Sequence, residues 1–152
     1  MARTDSASRV VNADVARVFA ALLDPAQLLE WLPPEGMTGR FEQFDARPGG
    51  SYRLVLTYLD GANTGKATAD SDIVHATFIE IEPDARVVQA VDFLSDDSSF
   101  AGTMTMTWAV SAHPDGAQVT IRAEDVPAGI SAEDHVVGMS SSLAQLAAFV
   151  EP

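Results

Sequence analysis

Residues 131–150, SAEDHVVGMSSSLAQLAAFV, decide the predicted fold, because they carry the start signal and the periodicity of one long helix. The hydroxyl of Ser131 can accept a hydrogen bond from a free backbone N–H, and the two acids that follow interact favourably with the positive end of the helix dipole. Apolar residues then recur at steps of three and four and share one face, namely Val136, Met139, Leu143, Leu146 and Val150. We predict a helix over Ala132–Val150, roughly 28 Å long, which is long enough to lie across a whole sheet.

Most of the chain before this helix has the alternation of strands that expose one face to water. The alternation is clearest in residues 51–59 and 103–111. Turn residues separate the apolar runs, and the sequence His113-Pro114-Asp115-Gly116 is typical of a hairpin. Further strands are predicted at residues 8–11, 39–45, 73–82, 86–94 and 119–124, with polar loops at 60–70 and 95–99.

Two short helices are predicted between the first strand and the rest of the sheet. Asn12 can cap the first, which has Asp14 in its first turn and ends at Asp24, because a residue before proline disfavours the helical conformation. The second covers about residues 26–31 and ends at the following prolines. This order of elements predicts an α+β fold in which the terminal helix covers an antiparallel sheet.

Composition excludes several classes of function. The chain has 22 acidic and 9 basic residues, and its formal net charge of −13 would repel phosphate backbones and anionic lipids. We therefore expect neither nucleic acid nor a membrane as a partner. The absence of cysteine excludes disulfides, thiolate nucleophiles and cysteine-ligated metals. With no signal region and no long apolar run, we expect residues 1–152 to form one domain of a cytoplasmic, bacterial-type protein.

Local motifs between residues 8 and 149 carry a family resemblance. They lie at residues 18–22, 24–25, 29–31, 45–53, 78–83 and 143–149. Together with the element order, they resemble the START-like helix-grip superfamily, also called SRPBCC, and within it the activator of heat shock protein 90 ATPase homologue-like group. The resemblance implies a curved antiparallel sheet of about six to seven strands, two short N-terminal helices and one long C-terminal helix over an apolar cavity. Members of the superfamily have several functions, so the resemblance also implies three alternatives: carriage of a hydrophobic ligand, polyketide cyclisation and a co-chaperone function.

The implied cavity supplies the candidate ligand-binding residues. Met104, Met106 and Trp108 project to one side of their strand, and methionine suits irregular apolar ligands. A stripe of this kind also fits an ordinary core. The residues predicted to line the cavity are Trp31, Tyr52, Leu54, Leu56, Val91, Phe93, Met104, Met106, Trp108, His135, Met139, Ser142 and Leu143. In particular, Met106 and Trp108 are expected to share a cavity wall with Met139 and Leu143.

The terminal helix contains residues that are unusual in a helix interior. Glycine at position 138 costs about 1 kcal/mol relative to alanine, and serines follow it at residues 140–142. Two explanations of these residues are equally good. Gly138 can allow close packing of the helix on the sheet, or the serines can form a rim of hydroxyls over the pocket. His135 lies seven residues before Ser142 and is the best acid–base candidate. A surface histidine close to the helix start is nevertheless the favoured interpretation, since the sequence shows no partner that would orient it.

The remaining polar residues give weak signals. The three histidines are dispersed, and the sequence has no phosphate loop, Rossmann glycine pattern or nucleophile elbow, so we expect no metal or cofactor. Arg40, Arg47 and Arg53 can form ion pairs with Glu42 and Asp45, or recognise a ligand carboxylate.

An apolar lining without a catalytic pair favours the binding of a small hydrophobic ligand, with no catalysis. The alternatives are a cyclase- or dehydratase-type pocket enzyme that uses His135, and a chaperone-associated interaction module. The sequence is compatible with a monomer and with a homodimer.

Overall fold

The computed structural model describes residues 3–34, 36–58, 71–93 and 102–152, with residues 71 and 93 described for the backbone only. Seven strands and three helices are found in these ranges. Their order is β1 (Thr4–Val11), α1 (Val15–Leu23), α2 (Pro25–Trp31), β2 (Met37–Phe44), β3 (Ser51–Tyr58), β4 (Ser71–Glu82), β5 (Arg86–Phe93), β6 (Met104–His113), β7 (Gly116–Glu124) and α3 (Ala132–Val150). The loops predicted at residues 60–70 and 95–99 lie outside the described residues.

The strands form one antiparallel sheet in the order β1-β7-β6-β5-β4-β3-β2. The first strand therefore pairs with the last, and the other strands follow as a meander. Register shifts between Phe41 and Gln43 in β2 and between Phe78 and Glu80 in β4 mark irregularities of the bulge type, which bend and twist a sheet. The predicted α+β helix-grip fold is confirmed.

The register places four residues of four strands in one row across the sheet. Asp5 of β1 is opposite Ala123 of β7, Ala123 is opposite Met106 of β6, and Met106 is opposite Gln89 of β5. Directly opposite residues project from the same face of a sheet. Two polar side chains, Asp5 and Gln89, thus stand at the ends of a row whose middle is apolar.

Helix α3 has the predicted bounds and the predicted cap. The Ser131 hydroxyl accepts a hydrogen bond from the backbone N–H of Asp134 at 3.1 Å. The buried residues of α3 are Met139, Leu143, Leu146, Ala147 and Val150. The prediction is wrong for Val136, which is 40% exposed. The side chain of His135 takes the inward position instead, and one residue turns a helix by about 100°, which directs Val136 away from the sheet.

The start of α1 differs from the prediction. The helix begins after Asp14, which occupies the cap position without a side-chain cap, while the backbone N–H of Asn12 donates to the carboxylate of Glu151 at 2.9 Å. Asp24 ends α1, as predicted, and its side chain also caps α2 by accepting the backbone N–H of Ala26 at 3.0 Å. None of the helices described here is long and apolar enough to cross a membrane.

Candidate functional site

A pocket of about 300 Å³ lies between α3 and the covered face of the sheet. This volume is at the lower end of the range for small-molecule sites. Its lining combines sheet residues, the segment after α2 and one face of α3: Leu32, Pro34, Tyr52, Leu54, Leu56, Val74, Gln89, Val91, Met104, Met106, Trp108, Ile121, His135, Gly138, Met139 and Ser142. Most of these side chains are apolar, and the polar ones are few.

The structure brings most of the predicted cavity residues together in this lining. They are Tyr52, Leu54, Leu56, Val91, Met104, Met106, Trp108, His135, Met139 and Ser142. The side chain of Phe93 lies outside the described residues. The sequence analysis missed the contributions of Leu32, Pro34, Val74, Gln89, Ile121 and Gly138. The role of all these residues in ligand binding stays a prediction.

Two predicted cavity residues do not line this pocket. The indole N–H of Trp31 donates to the carbonyl oxygen of Ala21 at 3.0 Å, and its ring packs edge-on against Trp108 with centroids 5.6 Å apart. Trp31 borders a smaller void of about 30 Å³, whose lining shares Leu32, Tyr52, Gln89 and Trp108 with the pocket. Leu143 is 1% exposed and belongs to the core, because the neighbouring Ser142 takes the position on α3 that faces the pocket.

A buried ion-pair network holds His135 at the wall of the pocket. Nδ1 of His135 lies 2.8 Å from Oδ2 of Asp5, and the two side chains are 12% and 5% exposed. Arg3 donates to the same oxygen from Nη2 at 3.0 Å and from Nε at 3.2 Å, and also to the carbonyl oxygen of Ile130. The network therefore joins the start of β1 to the segment before α3 and to the first turns of that helix.

Charge and hydrogen bonding define the protonation of Asp5. Burial raises the pKa of Asp5, but the hydrogen bonds from His135 and Arg3 outweigh burial and hold the pKa below its usual range. An ionised Asp5 accepts the Nδ1 proton of His135. In a neutral imidazole, Nε2 is then the hydrogen-bond acceptor. The donation from Nδ1 is assigned from the hydrogen-bond network and holds for the neutral and the charged ring alike.

Asp5 is the partner that the sequence analysis did not find. It lies 130 residues from His135, in a strand whose first half has no apolar alternation that would mark its inward face. The acids adjacent to His135 in sequence, Glu133 and Asp134, are both exposed. Only the pairing of β1 with β7 brings Asp5 beneath the start of α3.

A second polar pair lies on the sheet. The side chains of Tyr52 and Gln89 are buried and hydrogen-bonded to each other, and both line the pocket. Burial raises the pKa of Tyr52 to about 12, and the hydrogen bond with Gln89 opposes that rise. Tyr52 is therefore a neutral phenol at physiological pH. Three phenylalanine rings surround its own ring, namely Phe41, Phe44 and Phe78.

The unusual residues of α3 border open space. A methyl group at Gly138 would meet no heavy atom within 4 Å beyond its own helix turns, so close packing on the sheet does not explain this glycine. Gly138 and Ser142 line the pocket, whereas Ser140 and Ser141 are exposed. The expected rim of hydroxyls is thus reduced to Ser142.

The arginines form surface ion pairs. The carboxylate of Glu42 lies 2.6 Å from Nε of Arg53 and 3.3 Å from Nη1 of Arg40. The carboxylate of Asp45 lies 2.7 Å from Nε of Arg47. The ion-pair interpretation is confirmed, and none of these arginines lines the pocket. The part of the chain that the structure describes contains no cluster of three or more groups able to hold a metal ion.

Comparison with known proteins agrees with this architecture. Residues 12–151 match the profile of the family described as Activator of Hsp90 ATPase homolog 1-like protein. The chain belongs to this family. The predicted family resemblance, within the START-like or SRPBCC superfamily, is confirmed.

Several solved bacterial proteins have a fold similar to that of this chain and match it over nearly their whole length. A crystal structure from Chromobacterium violaceum is 33% identical, covers 98% of this chain and 97% of its own, and has a TM-score of 0.86. An AHSA1-like protein from Aeromonas hydrophila is 15% identical, with coverage of 97% and 92% and a TM-score of 0.78. A protein from Rhizobium leguminosarum is 22% identical, with coverage of 99% and 95% and a TM-score of 0.77. The last two show the fold alone, and no curated protein matches the sequence.

Proposed function

We propose that this AHSA1-like protein binds a small hydrophobic ligand in the pocket between α3 and the sheet and does not transform it. The observation that carries the proposal is a mainly apolar space of about 300 Å³ in the position where the fold places its terminal helix over the sheet. The methionines at positions 104, 106 and 139 adapt to ligands of irregular shape. Proteins of this superfamily commonly bind hydrophobic ligands, which also supports the proposal.

The Asp5–His135 pair favours one alternative, a pocket enzyme in which His135 acts as an acid or base. A histidine oriented by a carboxylate is part of many acid–base sites. Ser142 is not within its reach as a nucleophile, because seven residues advance a helix by roughly 10 Å. The pair therefore supports proton transfer at most. His135→Gln separates the two functions, since it would abolish turnover in an enzyme and leave most of the affinity in a carrier.

The pocket can be tested with prodan, a neutral naphthyl ketone whose emission shifts to the blue in apolar surroundings. Neutrality matters, because the chain has a formal charge of −13 and repels anionic dyes. Gly138 lines the pocket, and a Cβ there would meet no heavy atom within 4 Å, so Gly138→Phe adds a ring beside this space. We expect this variant to fold and to lose the emission shift, since the added ring occupies the ligand volume.

Ala144→Phe is the matched control, because Ala144 is exposed on α3 and does not line the pocket. It should bind prodan as the wild type does. An undiminished emission shift in a folded Gly138→Phe protein would place the dye elsewhere and contradict the proposal. Mass spectrometry of solvent extracts from both purified variants should then show a co-purifying apolar compound only with Ala144→Phe.

A further inference from the structure

We propose that Gly138 determines the size of the ligand that the pocket accepts. The missing side chain leaves room for one end of an apolar ligand, which lies there against the backbone of α3. This role rests on the proposed function, because it concerns the same pocket. It makes Gly138 a specificity-determining residue.

A glycine in a folded chain usually meets one of two needs, a backbone conformation with positive φ or the close approach of another group. Gly116 meets both, since its φ is +137° and a Cβ there would collide with the carbonyl oxygen of Val11. Gly39 meets the second, because a Cβ there would lie 3.1 Å from Cγ of Pro33. Gly138 meets neither, since its backbone is helical and a Cβ would have no heavy atom within 4 Å beyond its own helix turns. Because glycine destabilises a helix interior relative to alanine, this position has a cost that backbone and packing do not explain.

The position of Gly138 around α3 places it at the side of the pocket. Successive residues of a helix are rotated by about 100°, so Gly138 lies within roughly 60° of both His135 and Ser142. All three residues line the pocket. Met139, about 100° from Gly138, is buried in the core. Gly138 therefore lies at the edge of the sector of α3 that faces the pocket, on the side away from the core.

The same side of α3 is covered about two turns later. Gln145 follows Gly138 by seven residues, which places it within about 20° of Gly138 around the helix and roughly 10 Å further along. Its side-chain amide donates to the carbonyl oxygens of Trp31 and Pro33, in the segment after α2. Beside Gly138, no described group lies within 4 Å of the position that a Cβ would take. This side of α3 is thus closed at Gln145 and open at Gly138, where the pocket reaches it.

A ligand that extends from the apolar sheet residues to Gly138 occupies this opening. Burial of apolar surface stabilises a complex in proportion to the area removed from water, so a longer ligand gains affinity while position 138 has no side chain. A side chain at position 138 would take the same space. Its effect on a long ligand should increase with its volume, because overfilling a packed site is destabilising.

Two homologues of prodan test this size limit, namely the acetyl and the hexanoyl ketones of the same dimethylaminonaphthalene ring. In the wild-type protein, the hexanoyl probe should bind more tightly than the acetyl probe, because its additional methylene groups are buried. Gly138→Leu should weaken binding of the hexanoyl probe by about tenfold and change binding of the acetyl probe little. Gly138→Ala should give an intermediate result. Alanine and leucine are both strong helix formers, so both variants keep α3.

Fluorescence titration gives the ratio of the two affinities, which does not depend on the fraction of protein that is folded. Ala144→Leu is the matched control, because Ala144 is exposed on α3 and does not line the pocket. It should keep the wild-type ratio. Stopped-flow fluorescence of the same variants gives the association and dissociation rate constants of each probe.

An unchanged ratio of affinities in Gly138→Leu would overturn the size limit. If both probes are weakened equally, they contact position 138 and the hydrophobic pocket stands. Rate constants of association and dissociation that fall by the same factor in Gly138→Ala, with unchanged affinities, would show instead that Gly138 is a hinge of the helix. If neither probe binds the folded wild-type protein, the proposed function itself fails, and the role of Gly138 fails with it.

Discussion

The side-chain amide of Gln145 on α3 lies 2.6 Å from the carbonyl oxygen of Trp31 at the end of α2, and 3.0 Å from that of Pro33. One nitrogen thus donates to two carbonyl groups of the segment that follows α2. This segment contributes Leu32 and Pro34 to the pocket. The contact therefore positions one edge of the candidate binding site.

Gln145→Leu should lower the free energy of unfolding by about 2 kcal/mol, because it removes two hydrogen bonds to backbone carbonyl groups. Chemical denaturation measures this loss. Prodan affinity should also fall, since Leu32 and Pro34 are held less firmly. Gln118→Leu, an exposed substitution on β7, is the control. Equal stability of the two variants would show that the Gln145 contact contributes nothing.

Gly138→Ala should raise the free energy of unfolding by about 1 kcal/mol, since alanine is the better helix former and its methyl group meets no neighbour. Urea unfolding at neutral pH is the measurement. Gly116→Ala should do the reverse, because Gly116 has φ of +137° and a Cβ there would lie 2.2 Å from the carbonyl oxygen of Val11. If Gly138→Ala instead lowered the free energy of unfolding, the conclusion that open space lies beside Gly138 would be wrong.

The Asp5 network predicts a loss of stability in acid. The pKa of Asp5 is lower in the folded protein than in the unfolded chain. Its contribution to stability is therefore present above the unfolded-state pKa, near 3.9, and is lost as the pH falls through the folded-state value. Unfolding free energies of the wild type and Asp5→Asn should differ most near neutral pH and converge in strong acid. A difference that is constant with pH would argue against an ionised Asp5.

Tyr52 predicts a transition in alkali. The chain has two tyrosines, so Tyr58→Phe leaves Tyr52 as the only phenol. Its ultraviolet absorbance should titrate with a pKa of about 12 in the folded protein. Because this pKa is raised above the unfolded value near 10, the associated stability is complete below pH 10 and is lost as the pH rises through 12. A folded protein whose Tyr52 titrates near pH 10 would contradict the burial of this hydroxyl.

Local signals were sufficient for most of the secondary structure. The bounds of α3 follow from a capping serine and from apolar residues three and four positions apart, all of which are properties of neighbouring residues. The pocket-facing stripe of β6 likewise followed from alternation along one strand. The predicted start of α1 was wrong because Asp14, two residues after Asn12, takes the cap position and the helix begins at Val15.

By itself, the sequence determined the α+β class, the helix bounds of α3, the family and most of the apolar pocket lining. Tertiary structure alone decided the polar ends of the pocket. Asp5 meets His135 only because β1 pairs with β7, and Tyr52 meets Gln89 only across two strand pairings. The rotation of α3 about its axis likewise determines that Ser142, and not Leu143, lines the pocket. Periodicity gives the face on which a residue lies, whereas the partner on the opposing face depends on how distant elements pack.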